Sequence, residues 1–145
     1  MREIKFRGKS KNVNEWCYGT YIFTDDNRNN PFRTGPFKES HRIVFWCSGD
    51  WNMGGWVDEE VIPETIGQYT GLKDKNGKEI YEGDIMNDPT SKNVGVVTWN
   101  SVLCQFQLSW QNMHVAADIF FMVKCNSFVI GNIYDNPELI KRKEK

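Results

Sequence analysis

Residues 66–85 read Ile66-Gly67-Gln68-Tyr69-Thr70-Gly71-Leu72-Lys73-Asp74-Lys75-Asn76-Gly77-Lys78-Glu79-Ile80-Tyr81-Glu82-Gly83-Asp84-Ile85, and their punctuation decides the fold class. A short extended run over 66–70 ends in a turn. Asn76-Gly77 then sits between two extended segments. A type I′ hairpin turn requires positive φ at both central residues, which Asn-Gly tolerates best, so the spacing predicts a tight hairpin with this pair at its tip. Gly83 interrupts the next strand pattern and predicts a bulge or tight corner that a Cβ would disturb.

The same reading extends in both directions. Residues 94–99 and 103–110 predict two strands around an Asn100-Ser101 turn, and 119–124 and 127–133 predict further strands. Upstream, residues 2–7 alternate with Ile4 and Phe6 on one face. The aromatic run 16–23 is apolar enough for burial on both faces, and the polar stretch 8–14 between them predicts a hairpin. Residues 25–40 read as a long loop, 42–47 as a strand, and the glycine-rich 48–56 as a second loop. Turn signals recur at roughly ten-residue intervals, the spacing of a closed or partly closed β-barrel. One short C-terminal helix is expected, with Asn136 as cap, Pro137 first and Leu139 and Ile140 facing inward. Residues 111–118 form either a helix or a connecting loop, and 141–145 a charged tail. The chain divides into N-terminal strands and long loops over 1–61 and a barrel with its helix over 62–145, or forms one single domain.

Composition narrows the function classes. The 145 residues carry 18 Lys plus Arg against 19 Asp plus Glu, a net charge of -1, so no whole-molecule attraction to nucleic acid or acidic membrane follows. No apolar run approaches the ~18 residues of a membrane span, and the charged residues 2–7 do not read as a signal peptide. A cytoplasmic protein is expected. Cys17, Cys47, Cys104 and Cys125 lack paired spacing, which predicts reduced, metal-free thiols serving as small core hydrophobes.

Chemical motifs are sparse. There is no phosphate-cradling glycine loop and no nucleophile elbow, and His41 and His114 are the only histidines. Glu82 and Asp84 are one residue apart, but Gly83 between them favours a turn in which Asp84 accepts backbone hydrogen bonds. The acidic run Asp58-Glu59-Glu60 reads as a solvated surface. No catalytic, metal or cofactor residues are assigned. Aromatics remain: Trp46 reads as core or loop packing, whereas Phe32, Phe37, Trp51 and Trp56 lie in polar or glycine-rich loops. Loop aromatics bury large area at small entropic cost, so these four are the candidate partner contacts.

Three stretches carry a family resemblance: residues 66–85, the run Val129-Ile130-Gly131-Asn132-Ile133-Tyr134-Asp135-Asn136-Pro137-Glu138-Leu139, and the opening Arg2-Glu3-Ile4-Lys5-Phe6-Arg7. Together with Gly95-Val96-Val97-Thr98-Trp99 and Phe106, they resemble the YopX family of small phage and prophage proteins. The resemblance implies a mainly β fold with an SH3-like barrel region from residue 62 to about 133. It implies no catalytic residues, and an accessory protein without an established biochemical role. The leading expectation is a non-enzymatic module that binds a host or phage protein in the bacterial cytoplasm. A nucleic-acid-binding barrel would need Arg28, Arg33, Lys38, Lys92 and Lys124 to converge, and an enzyme would need Glu82, Asp84, His114 and Asp118 in one cleft. Self-association is also expected, through the first half of the chain, because its aromatics and strand edges need covering.

Overall fold

A computed structural model describes residues 3–25, 39–48, 54–89, 92–110 and 116–140. The chain forms two compact units, one spanning Ile4–Ile66 and the other Gly67–Lys145 with Met1–Glu3. Both are built mainly of antiparallel strands, as the turn-rich sequence predicts.

The first unit is a meander of β1 (Phe6–Lys9), β2 (Trp16–Asp25), β3 (Glu39–Cys47) and β4 (Gly55–Glu60), lying in the order β4-β3-β2-β1. The expected first hairpin is present with its strand displaced: β1 starts at Phe6 and runs through Gly8 and Lys9, which read as turn. Gly8 has no side chain, and Val61 fills the space its Cβ would take, 3.0 Å from the ideal position. Ile4, which the alternation places on one face with Phe6, is exposed. The aromatic β2 is one-sided rather than buried on both faces. Cys17 points into the core while Tyr18, Ile22 and Phe23 are exposed. The core of this unit is Cys17, Ile43 and Val61, with Phe6, Tyr21, Phe45 and Ile66 packed around them.

In the second unit, β5 (Gly67–Lys73) and β6 (Glu79–Tyr81) form a hairpin. A five-stranded sheet is built from β7 (Asp84–Asn87), β8 (Val94–Asn100), β9 (Gln105–Ser109), β10 (Ala116–Asp118) and β11 (Phe128–Asn132), in the order β10-β9-β8-β7-β11. The hairpin is where the sequence places it, but its turn is not type I′. Gly77 alone has positive φ, at 80°, and its amide donates to Asp74 O at 2.9 Å. The Asp74 carboxylate explains the difference: its Oδ1 accepts from Asn76 N at 2.8 Å and Lys78 N at 3.0 Å, holding Asn76 out of the left-handed region. Gly83 has φ of 83°, the tight corner expected of it and one that a side chain would strain, and its amide donates to Val97 O at 2.9 Å.

Residues 119–124 read as a strand and form instead the helix α1 (Ile119–Lys124). Asp118 caps it, accepting from Phe121 N at 2.9 Å, and Ile119 and Met122, three residues apart, are its buried face. Those two side chains join Ile80, Met86, Val97, Phe106, Leu108 and Val129 in the core of this unit. Burying each large apolar side chain contributes about 1.5–3 kcal/mol, which outweighs the weak β preference of so short a run. The expected C-terminal helix is a single 3-10 turn, Pro137–Leu139, with Pro137 at its start. Asn136 does not cap it; its Oδ1 turns back to accept from Asn132 N at 3.4 Å. Of residues 111–118, the last three form β10, and 111–115 lie outside the described residues.

Candidate interaction face

Cross-strand register divides the first unit into two faces. Side chains alternate along a strand, and directly paired residues share a side. Ile43 and Phe45 point to the core, so Arg42, Val44 and Trp46 point away from it. Their partners on that outer face are Thr20 and Ile22 on β2, and Trp56, Asp58 and Glu60 on β4. Tyr18, two residues before Thr20, is exposed as well.

At one end of this face Trp46 and Trp56 are paired directly across β3 and β4, 57% and 73% exposed. Their rings meet edge to face, with centroids 5.5 Å apart and planes at 81°. Such a pair is worth about 0.5–1.5 kcal/mol beyond area burial, so the two rings hold each other in place while both stay accessible. An ideal Cβ at Gly54 would lie 2.8 Å from Trp46 Cζ2, so the glycine before β4 leaves room for the ring.

The acidic run of β4 is a polar clasp rather than a purely solvated surface. Arg42 pairs with Asp58 at 2.5 Å and donates a second bond from Nη2 to Asp58 O at 3.0 Å. The hydrogen bond that Arg42 donates to the Asp58 carboxylate is the main reason its guanidinium pKa is pushed above its ordinary value. Glu59 Oε1 accepts from Ser10 Oγ at 2.5 Å and from Asn12 Nδ2 at 2.8 Å, and Lys11 Nζ pairs with Glu60 at 2.6 Å. The β1–β2 turn is thereby fastened to the far end of β4.

Of the four residues singled out as partner contacts, Trp56 is placed on this face. Phe32, Phe37 and Trp51 lie outside the described residues. Trp46, read as core or loop packing, is instead an exposed strand residue. Sequence reasoning missed it because residues 48–56 read as loop, which hid the start of β4 and with it the Trp46–Trp56 register. The alternating Arg42, Val44, Trp46 opposite Trp56, Asp58, Glu60 is the signal that was available.

Asp84 is almost fully buried and accepts from Tyr81 N at 2.9 Å, which is the structural role expected of it. Asp118 caps α1, and His114 is outside the described residues, as are Arg28, Arg33 and Lys38. Lys92 and Lys124 are both exposed, and Lys124 Nζ lies 5.3 Å from the Phe120 ring centre. His41 Nδ1 is 2.8 Å from the Tyr21 hydroxyl, whose pKa is raised by burial and then by Glu39. Open clefts lie among the described residues of the second unit. One of about 340 Å³ is bordered by Trp99, Cys104 and Asp118, and one of about 330 Å³ by Val96, Trp110 and Ile140. Among the described residues no three His, Cys, Asp or Glu side chains are grouped to hold a metal. No helix among them is long and apolar enough to cross a membrane.

All four cysteines are free thiols, but only Cys17 serves the core; Cys47 and Cys104 are exposed and Cys125 is half-buried. Expecting all of them in the core fails because the apolar runs end before Cys47 and Cys104, which close a strand and a turn. Burial, with smaller contributions from Glu59 and Glu15, pushes the Cys17 thiol up and keeps it protonated at neutral pH. Titration with a thiol reagent should therefore label Cys47 and Cys104 promptly and Cys17 only on unfolding. Prompt labelling of Cys17 in the native state would contradict this core.

The model of the family described as YopX protein matches residues 5–141. A solved structure, the crystal structure of protein EF1440 from Enterococcus faecalis, is similar with a TM-score of 0.53 and 23% identity. The match covers 97% of this chain and 100% of that one, and at this identity it speaks to the fold alone. No curated protein matches the chain significantly.

Proposed function

This chain belongs to the YopX family, and from that premise we propose that it is a non-enzymatic, protein-binding accessory module of phage or prophage origin. The observation that carries the reading is the Trp46–Trp56 pair, two large rings held rigid by each other and left accessible on a sheet face with Ile22 and Val44. Rigid exposed tryptophans are the commonest anchors of protein interfaces, because their burial releases much water at small entropic cost. Two of the three carboxylates considered for catalysis, Asp84 and Asp118, are committed to a turn and a helix cap, which supports a binding role over an enzymatic one. Unpaired, exposed Cys47 and Cys104 support a reducing compartment, the bacterial cytoplasm. The five-stranded antiparallel sheet is compatible with the SH3-like barrel that the family resemblance implies.

The test is a comparison of wild type with the Trp46→Ser/Trp56→Ser variant in affinity capture from an infected or lysogenic host. Both rings are exposed, so the variant should melt within a few degrees of wild type. An interface anchor is worth about 2 kcal/mol or more, and losing two should weaken the captured complex at least ~30-fold. The same protein captured equally by both forms would sink the reading. Loss of the captured species on nuclease treatment would favour nucleic acid instead.

A further inference from the structure

Strand β4 ends the β4-β3-β2-β1 order, so among the described residues one of its edges has no strand beside it. Which backbone groups face that edge follows from the register. Val61 N donates to His41 O at 2.8 Å, continuing the β3–β4 ladder, so odd-numbered residues of β4 direct their amides toward β3. Trp56, Asp58 and Glu60 therefore direct theirs outward. Part of the edge is already taken: Lys11 N donates to Glu60 O at 3.0 Å, Ser10 bridges Val61, and Arg42 holds Asp58 O. What remains is the N–H and C=O of Trp56 and the N–H of Asp58, with no partner among the described residues.

The clasp also restricts what can pair there. A second β4 added about a two-fold axis at Val57 would bring its Gly55 opposite Glu59, where Ser10 and Asn12 already sit. Overlap between two copies is thereby confined to residues 56–58, whereas a separate extended segment can pair with these residues and continue past Gly55. Charge points to the kind of segment. Asp58, Glu59 and Glu60 place three carboxylates along this edge, where Arg42 pairs with Asp58 and Lys11 with Glu60 while Glu59 accepts from the neutral Ser10 and Asn12. The negative π faces of Trp46 and Trp56 add to that attraction for a cation.

We propose that the Gly55–Asp58 edge captures an extended, basic segment of a partner protein by strand addition, with a Lys or Arg of that segment laid on the Trp56 ring. The proposal rests on the protein-binding reading above and names the class of partner for the same face. In strand addition, main-chain bonds supply affinity and the alternate side chains supply specificity.

The probe is a blocked peptide, Thr-Val-Lys-Val-Arg-Val-Thr, compared with its counterpart carrying Glu in place of Lys and Arg. The readout is amide hydrogen exchange of the full chain, resolved by residue. With saturating basic peptide the Trp56 and Asp58 amides should exchange at least about tenfold more slowly, while the inward Val57 and Glu59 amides change little. The acidic peptide should bind at least about tenfold more weakly, and added salt should weaken the basic one. Trp56→Thr, which keeps the outward amide and removes the ring, should retain the protection but lose most of the preference for the basic peptide. Unprotected Trp56 and Asp58 amides overturn the proposal, as does equal protection by the acidic peptide. So does protection in the free protein that rises with its own concentration, which would assign the edge to a second copy. If capture of the host partner still depends on Trp46 and Trp56 while the peptide protects nothing, strand addition falls and the protein-binding reading stands.

Discussion

Replacing Asp74 by alanine is expected to cost about 3–4 kcal/mol, the largest loss from any single polar side chain in the second unit. Asp74 is 6% exposed, and its carboxylate accepts from three backbone amides. Oδ1 takes Asn76 and Lys78 within the hairpin turn, and Oδ2 takes Val129 N at 3.0 Å, 55 residues away on β11. Alanine leaves all three donors without an acceptor. Water reaches the exposed tip and recovers part of the loss at Asn76 and Lys78, but Val129 is buried and its amide carries the full penalty of an unmade bond, about 1–3 kcal/mol. Lys75, whose Nζ sits 4.2 Å from the Phe128 ring centre, makes a second tie between the turn and β11 and does not replace the first. Asp74→Asn should lose less, because one oxygen still serves the turn while the new NH2 group faces the Val129 amide. Urea unfolding gives the size of the effect, and hydrogen exchange at Val129 gives its location. A loss below about 1 kcal/mol with alanine, or unchanged exchange at Val129, would refute the account.

Asp74 also shows which parts of this fold were legible. The Asp-Lys-Asn-Gly run announces a hairpin, because Gly77 must take the positive φ and Asp74 readily accepts from amides two and four residues on. Its turn type depends on which acceptor Asn76 N finds, and the bond from Val129 that fixes the carboxylate comes from a residue no local reading can reach. Gly83 was legible for the same local reason. The helix Ile119–Lys124 was not: Ile-Phe-Phe-Met-Val-Lys is apolar, aromatic and β-branched, and six residues are too few to separate a period of 3.6 from one of 2. Only Asp118 before it hinted at a cap. On the proposed interaction face, reading residues 48–56 as a loop misplaced Trp56. Trp56 is a strand residue, and its partner Trp46 becomes recognisable only once β3 and β4 are set in register.

Gly19→Ala should be the most damaging single-methyl change in the first unit, at about 3 kcal/mol. An ideal Cβ at this position would overlap the Val44 carbonyl oxygen, with Val44 C at 2.9 Å and Phe45 Cβ at 3.0 Å. Two of the three obstacles are backbone, so no rotamer change relieves them, and β3 must move away from β2. Movement of β3 breaks the Thr20–Val44 register on which the outer face depends and withdraws Phe45 from the core beneath it. The effect should therefore be twofold. Exchange should accelerate across the β2–β3 ladder, at Thr20 to Thr24 and Ser40 to Val44, while the amides of Val97 and Leu108 in the other unit keep wild-type protection. Partner capture should fall along with it, even though no contacting side chain has been altered, because Trp46 follows β3. Trp46→Ser/Trp56→Ser predicts the opposite pairing, lost capture with an intact ladder. A Gly19→Ala protein that melts with wild type, or one that unfolds the ladder yet retains full capture, would show that the close approach of β2 and β3 does not hold this face in place.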